Sequence, residues 1–183
     1  MYAKAVTHWK ILGGLIVVVG VLATLTYSFV SPRGMFSGLH NDLKTIESAA
    51  SPYVDLDGNT IDLETFKGKP LIVNSWASWI PFSQTELPML IEVASQHRDA
   101  LHVLAINRKE DLGVMRSFLD TFGISRSIIF LHDPSDAFYA AIGGYAMPET
   151  VFYDADGVMV QHKRGVLTRE ELDAFTNEIL ARK

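Results

Sequence analysis

The residues able to do chemistry are gathered in one stretch, Asn74-Ser75-Trp76-Ala77-Ser78-Trp79-Ile80-Pro81-Phe82-Ser83-Gln84-Thr85-Glu86-Leu87-Pro88. The apolar run Leu71-Ile72-Val73 leads into it, and an amphipathic helix expected over 82–97 leads out. A strand, a tight turn and a helix N-terminus together present free backbone N–H groups and the positive end of the helix dipole, which stabilise an anion. Two side chains there could move protons or attack, Ser83 and Glu86. A serine hydroxyl needs an adjacent base to become a nucleophile, and no histidine is close in sequence, so Ser83 is expected to cap the helix. Glu86 falls in the first turn, where the dipole favours a carboxylate that accepts a nearby N–H. Trp76, at the strand's end, is expected in the core. Trp79 is expected beside the turn, where an aromatic offers contact area to a peptide.

The chain has 183 residues, no cysteine and a formal net charge of −5. Without cysteine there are no disulfides, no thiolate metal sites and no thiol nucleophile. The six histidines (His8, His40, His97, His102, His132 and His162) show no ligand spacing, so neither a metal nor a cofactor is expected. His97 and His102 flank a helix–strand junction and are expected to be solvated. Residues 45–183 carry 12 Lys/Arg against 20 Asp/Glu, with no basic stripe, so nucleic acid is not an expected partner.

The elements that must position this stretch follow from the pattern of the chain. Ile11 to Val30 is a charge-free run of 20 residues, long enough at helical rise to cross the ~30 Å core of a bilayer. Trp9 and Tyr27 near its ends suit the interfacial aromatic belt. The run is longer than the ~7–15 apolar residues of a signal peptide, and no small-x-small cleavage site follows, so it is expected as an uncleaved anchor. Residues 31–52, with Pro32, Gly34, Gly38 and Ser48-Ala49-Ala50-Ser51-Pro52, read as a spacer of little packing, with a short helix over 42–49. From Tyr53 a compact α/β pattern begins. It consists of a hairpin around Asp57-Gly58-Asn59, the buried strand Leu71–Ser75 and the helix 82–97 with Pro88 inside it. A second strand, 101–106, and a helix from Asp111 to Phe122 follow. A short strand at 128–131 and a helical stretch at 135–142 lead to a hairpin around Ala155-Asp156-Gly157. A last helix, 169–182, opens on the capping box Thr168-Arg-Glu-Glu171.

The stretch Trp76 to Pro88 resembles the active-site segment of the TlpA/ResA/CcmG group of membrane-anchored, thioredoxin-like (redoxin) thiol–disulfide oxidoreductases, which reads roughly W-A-[ST]-W-C-P-x-C-x-x-E-x-P. Trp76, Ala77, Ser78, Trp79, Pro81, Glu86 and Pro88 match, while Ile80 and Ser83 stand where the two redox cysteines belong. Gly144-Tyr-Ala-Met-Pro-Glu-Thr-Val-Phe-Tyr-Asp-Ala-Asp-Gly157 resembles the family's cis-proline segment, and Lys67-Gly68-Lys69-Pro70 its entry to the central strand. The resemblance covers residues 53–183 and implies an α/β, thioredoxin-like fold, with a mixed sheet and helices on both faces, preceded by one transmembrane helix. It implies residues 1–10 in the cytoplasm, an anchor at 11–30, a linker at 31–52 and an extracytoplasmic domain at 53–183, on the cytoplasmic (inner) membrane. The charges agree only slightly, with Lys4 and Lys10 before the span and Arg33 and Lys44 after it.

The resemblance also implies that Glu86 is the acid the family places near its buried thiol, and that Pro148 is its cis-proline. In such folds the residue before that proline offers backbone groups to an extended partner peptide, a pairing that needs no cysteine. A binding groove is therefore expected at Trp79, Pro81, Phe82, Met147 and Pro148. Copper delivery and peroxide reduction on this fold use cysteine and are not expected. The leading expectation is a non-redox binding or scaffolding module beside a redox or cytochrome c assembly system. Its rivals are an enzyme with non-thiol chemistry through Glu86 and Ser83, and a degenerate structural subunit.

Overall fold

The computed structural model describes residues 45–49, 52–121, 123 and 127–182. The expected membrane span at 11–30 lies outside the described residues, and no described helix is long and apolar enough to cross a membrane.

The strands are β1 (Tyr53–Asp55), β2 (Thr60–Ile61), β3 (Leu71–Trp76), β4 (His102–Arg108), β5 (Ile129–Asp133), β6 (Glu149–Tyr153) and β7 (Met159–Arg164). The helices are α1 (Ser83–Gln96), α2 (Leu112–Asp120), α3 (Ala137–Ala141) and α4 (Arg169–Ala181). The strands form one seven-stranded sheet in the order β2-β1-β5-β4-β3-β6-β7. β3, β4 and β5 run parallel, and β1, β6 and β7 are antiparallel to their neighbours.

All six residues of β3 are buried, as a strand covered on both faces requires. Its alternation divides the core. Ile72 and Trp76 face α1, α2 and α4 through Leu87, Leu90, Met115 and Leu172. Leu71 and Val73 face α3 and two short 3-10 turns through Phe138, Ile46, Leu63 and Phe66.

The structure corrects the expected spacer at its end. Ile46–Ala49 is a 3-10 turn, Ile46 and Ala49 are buried in the second core layer, and Ile46 donates its N–H to Gly157 O at 2.9 Å. The small residues there concealed Ile46, whose burial against Gly157 only the fold creates. His102 is likewise only half exposed, because its ring meets Phe66 edge-on at 5.2 Å. The capping box at Thr168 and Glu171 forms as the sequence predicts.

Candidate functional site

β3 ends in buried Trp76 and Ala77, and the chain then turns sharply into α1. Ala77 C=O accepts the Ile80 N–H at 3.1 Å and the Ser83 hydroxyl at 2.9 Å. A clamp from the next loop holds the other side of the turn. Glu110 accepts the Ser78 N–H at 2.7 Å, the Ser78 hydroxyl at 2.5 Å and the Asn107 amide at 2.6 Å. Fastened on both sides, the turn turns its apolar side chains outward. Trp79 is 61% and Phe82 47% exposed, Pro81 is exposed and Ile80 half-exposed.

Ser83 is not the helix cap. Phe82 occupies that position in helical conformation with no side-chain cap bond, and Ser83 is buried with its hydroxyl committed to Ala77. The sequence pattern for a cap is satisfied equally by a serine that bonds backward across the turn. Among the described residues, that hydroxyl has Ala77 O as its partner and no basic side chain beside it to activate it.

Glu86 differs from the first-turn surface acid that its position suggests. It is 1% exposed, and it accepts the Leu167 N–H, from the β7–α4 loop, at 2.7 Å and the Asn74 amide at 3.1 Å. Asn74 also donates to the Thr150 hydroxyl at 2.9 Å. Burial pushes the Glu86 carboxyl up to about 7, against the opposing pull of the Leu167 N–H, Asn74 and the Lys163 charge. The group can therefore hold or release a proton near neutral pH.

β6 lies beside β3 and runs the other way, with Glu149 opposite Ser75, so the loop before β6 and the Trp79 turn leave the same end of adjacent strands. The Met147–Pro148 bond in that loop is cis. Pro148 is buried and Met147 half-buried, so of the two expected groove residues only Met147 offers surface. Among the described residues, Met147 N–H and C=O have no hydrogen-bond partner. Pro148 C=O accepts the N–H of Gly165, whose φ of +77° an L side chain rarely adopts.

A second acid, which no local sequence signal singles out, shapes this loop. Glu149 is fully buried and accepts the Tyr145 and Ala146 N–H groups at 2.8 and 2.7 Å. Its other oxygen lies 2.6 Å from His162 Nε2, and the Arg164 guanidinium approaches to 3.9 Å. Burial depresses the His162 pKa, and Glu149 opposes that shift. From the far side, Tyr139 donates its hydroxyl to Ala146 O at 2.9 Å, with the Arg108 guanidinium 3.4 Å above its ring. Gly144 is needed there, because a Cβ would stand 2.4 Å from the Tyr139 ring. No local motif marks Glu149 or Glu110 as structural acids. Their donors come from β4, from β7, from the cis-proline loop and from the turn after β3.

No group of three or more His, Cys, Asp or Glu able to hold a metal occurs among the described residues. A cavity of about 250 Å³ lies toward the other end of α1, between Val93, Gln96 and His97 and the α4 residues Asp173, Thr176 and Asn177.

The redoxin family model matches residues 41–179, three quarters of the chain. The chain belongs to the redoxin family. Among its relatives is a thiol-disulfide oxidoreductase ResA of Bacillus thuringiensis, 24% identical over 68% of this chain and 72% of its own length. A secreted Mycobacterium tuberculosis disulfide oxidoreductase, homologous to the DsbE of E. coli, is 26% identical over 72% of this chain and 98% of its own, with a TM-score of 0.63. A thioredoxin-family thiol:disulfide interchange protein of Chlorobium tepidum, 24% identical over 72% of this chain and 96% of its own, superposes with a TM-score of 0.61 and shares the fold. Within this redoxin, Ile80 and Ser83 occupy the positions the family's motif gives to its cysteines, and no thiol exists anywhere in the chain.

Proposed function

We propose that this redoxin is a binding module and not a thiol–disulfide oxidoreductase. It would hold an extended segment of a partner protein across the Trp79 turn and the cis-proline loop. The observation that carries this reading is the pairing of outward-facing Trp79, Ile80 and Phe82 with the unpaired main chain of Met147. Main-chain pairing supplies affinity and an aromatic anchor supplies contact area, and neither needs a thiol. The domain would stand outside the cytoplasm, anchored through 11–30, beside a redox or cytochrome c assembly system. The extracytoplasmic placement has support in the secreted relative from Mycobacterium tuberculosis.

The rival, non-thiol catalysis through Glu86 and Ser83, draws support from a Glu86 carboxyl that titrates near neutrality. Against it, the Ser83 hydroxyl is buried and donates to Ala77 O.

A photo-crosslinking residue placed at Trp79 in membranes, with a second placed at Val114 on α2, tests the reading. A discrete partner adduct at position 79 and none at position 114 is the expected result. Equal labelling at both positions, or none at 79, overturns it.

A further inference from the structure

Arg164 closes β7 directly across from Glu149, and the next residue, Gly165, donates its N–H to Pro148 C=O at 2.9 Å. The arginine therefore flanks the strand ends that carry the surface described above. Its guanidinium lies 4.9 Å over the Tyr145 ring, and Tyr145 is 78% exposed. The acid facing it, Glu149, is already served by three shorter contacts, at 2.8, 2.7 and 2.6 Å, while Arg164 stands off at 3.9 Å.

The neighbouring cations are differently placed. Arg108 makes two hydrogen bonds to Asp136 at 2.8 and 2.6 Å, and Lys109 lies 3.3 Å from the same carboxylate. Lys163 is bonded to Glu171 at 2.5 Å. Among the described residues, Arg164 is thus the cation at this end whose side chain makes no hydrogen bond, its one carboxylate contact being the 3.9 Å approach of Nε to Glu149. A guanidinium presents a planar fork that receives a carboxylate in two parallel bonds. Its seat on an aromatic ring reduces the freedom lost on binding.

We propose that the partner segment is acidic. One of its side-chain carboxylates is received by Arg164 from its seat on Tyr145, while its main chain lies along Met147 and an apolar side chain rests on Trp79 and Ile80. This rests on the binding reading given above and adds to it the charge of the partner.

The test uses the purified full-length chain and fluorescently labelled nine-residue peptides, blocked at both ends. Each has a central leucine and one aspartate, walked through the flanking positions, and is compared with its asparagine counterpart. At one position, aspartate is expected to bind roughly fivefold more tightly than asparagine, with the advantage shrinking as salt rises. Arg164→Gln should abolish that preference while leaving the asparagine peptides unchanged, which also reports that the variant is folded. Arg164→Lys should keep only part of the preference, since it lacks the fork. Trp79→Ala should weaken every peptide.

Two results would overturn the acidic-partner proposal while leaving the binding surface standing. In one, peptides bind and lose affinity in Trp79→Ala, yet aspartate and asparagine are equivalent at every position. In the other, the aspartate preference survives Arg164→Gln. Absence of binding by any peptide would overturn both the proposal and the surface.

Discussion

Glu86 and Glu149 are both buried acids, and each fastens one of the two loops that frame the same end of the sheet. Their surroundings set them apart. Glu86 has two donors, a backbone N–H and an amide, and faces the core layer under α1 and α4. Glu149 has two backbone N–H groups and an imidazole, with a guanidinium beyond. The first carboxyl is under-solvated, and its proton stays on until near neutral pH. The second acts as a knot that holds Tyr145 and Ala146 in place ahead of Met147. The same residue type at similar burial thus fastens the β7–α4 loop from α1 in one case and the cis-proline loop from β6 in the other.

The largest way to break this comparison is Glu149→Ala. Removing the acid leaves two half-buried N–H groups and an imidazole without their acceptor, which should destabilise the full-length chain by about 3 kcal/mol. Urea denaturation at pH 7 measures it. A loss below ~1 kcal/mol would mean the cis-proline loop holds its shape without that knot.

Glu86→Gln should act through pH. The carboxyl's ordinary value of 4.5 rises to about 7 in the folded chain, so between those values the folded state keeps a proton that the unfolded state has released. The stability linked to Glu86 is therefore fully present below pH ~4.5 and is lost as pH rises through ~7. That loss amounts to up to about 3 kcal/mol, and glutamine should remove it and flatten this part of the stability–pH profile. His162 supplies the opposite slope. Its pKa is lowered from 6.5, so its contribution is lost as pH falls through that range, and His162→Gln should cancel it. Denaturation series from pH 4.5 to 8 would separate the two. Identical profiles for wild type and Glu86→Gln would show that Glu86 titrates like any surface acid.

The smallest effect on stability is expected from Ile80→Cys with Ser83→Cys, about 1 kcal/mol from the lost methylene contacts and the lost bond to Ala77. Its effect on chemistry should be large. A thiol at position 80 would precede α1, where the dipole and N–H groups typically bring a cysteine to ~3.5–7.5. Wild type should reduce insulin no faster than background with dithiothreitol as donor, and the double variant should exceed it. Adding Glu86→Gln to the double variant should slow turnover, since Glu86 would again have a thiol to exchange protons with. A folded double variant that forms the 80–83 disulfide yet stays inactive would mean the turn has been rebuilt beyond its thiols.

The parts of the site legible in the sequence were those whose signal is local. The placement of β3, the turn and α1 followed from apolar runs and helix periodicity, and the match of Trp76 to Pro88 carried the fold. Exposed Trp79 and the cis bond at Pro148 were expected from the same segments. The helix cap assigned to Ser83 failed because a hydroxyl at a helix start can bond forward or back, and the depth of the turn sends it back to Ala77. Glu149 and His162 were missed because each reads alone as an ordinary polar residue in a strand.

By itself, the sequence determined that the chain folds as a redoxin and that it holds no thiol, since both follow from residue types and their order. Tertiary structure alone decided which acids are buried and what they hold. Leu167 meets Glu86, and Tyr145, Ala146 and His162 meet Glu149, only after β3, β6 and β7 have paired. A carboxyl's proton affinity depends on the water it loses and the donors it gains, and both quantities are properties of the assembled neighbourhood.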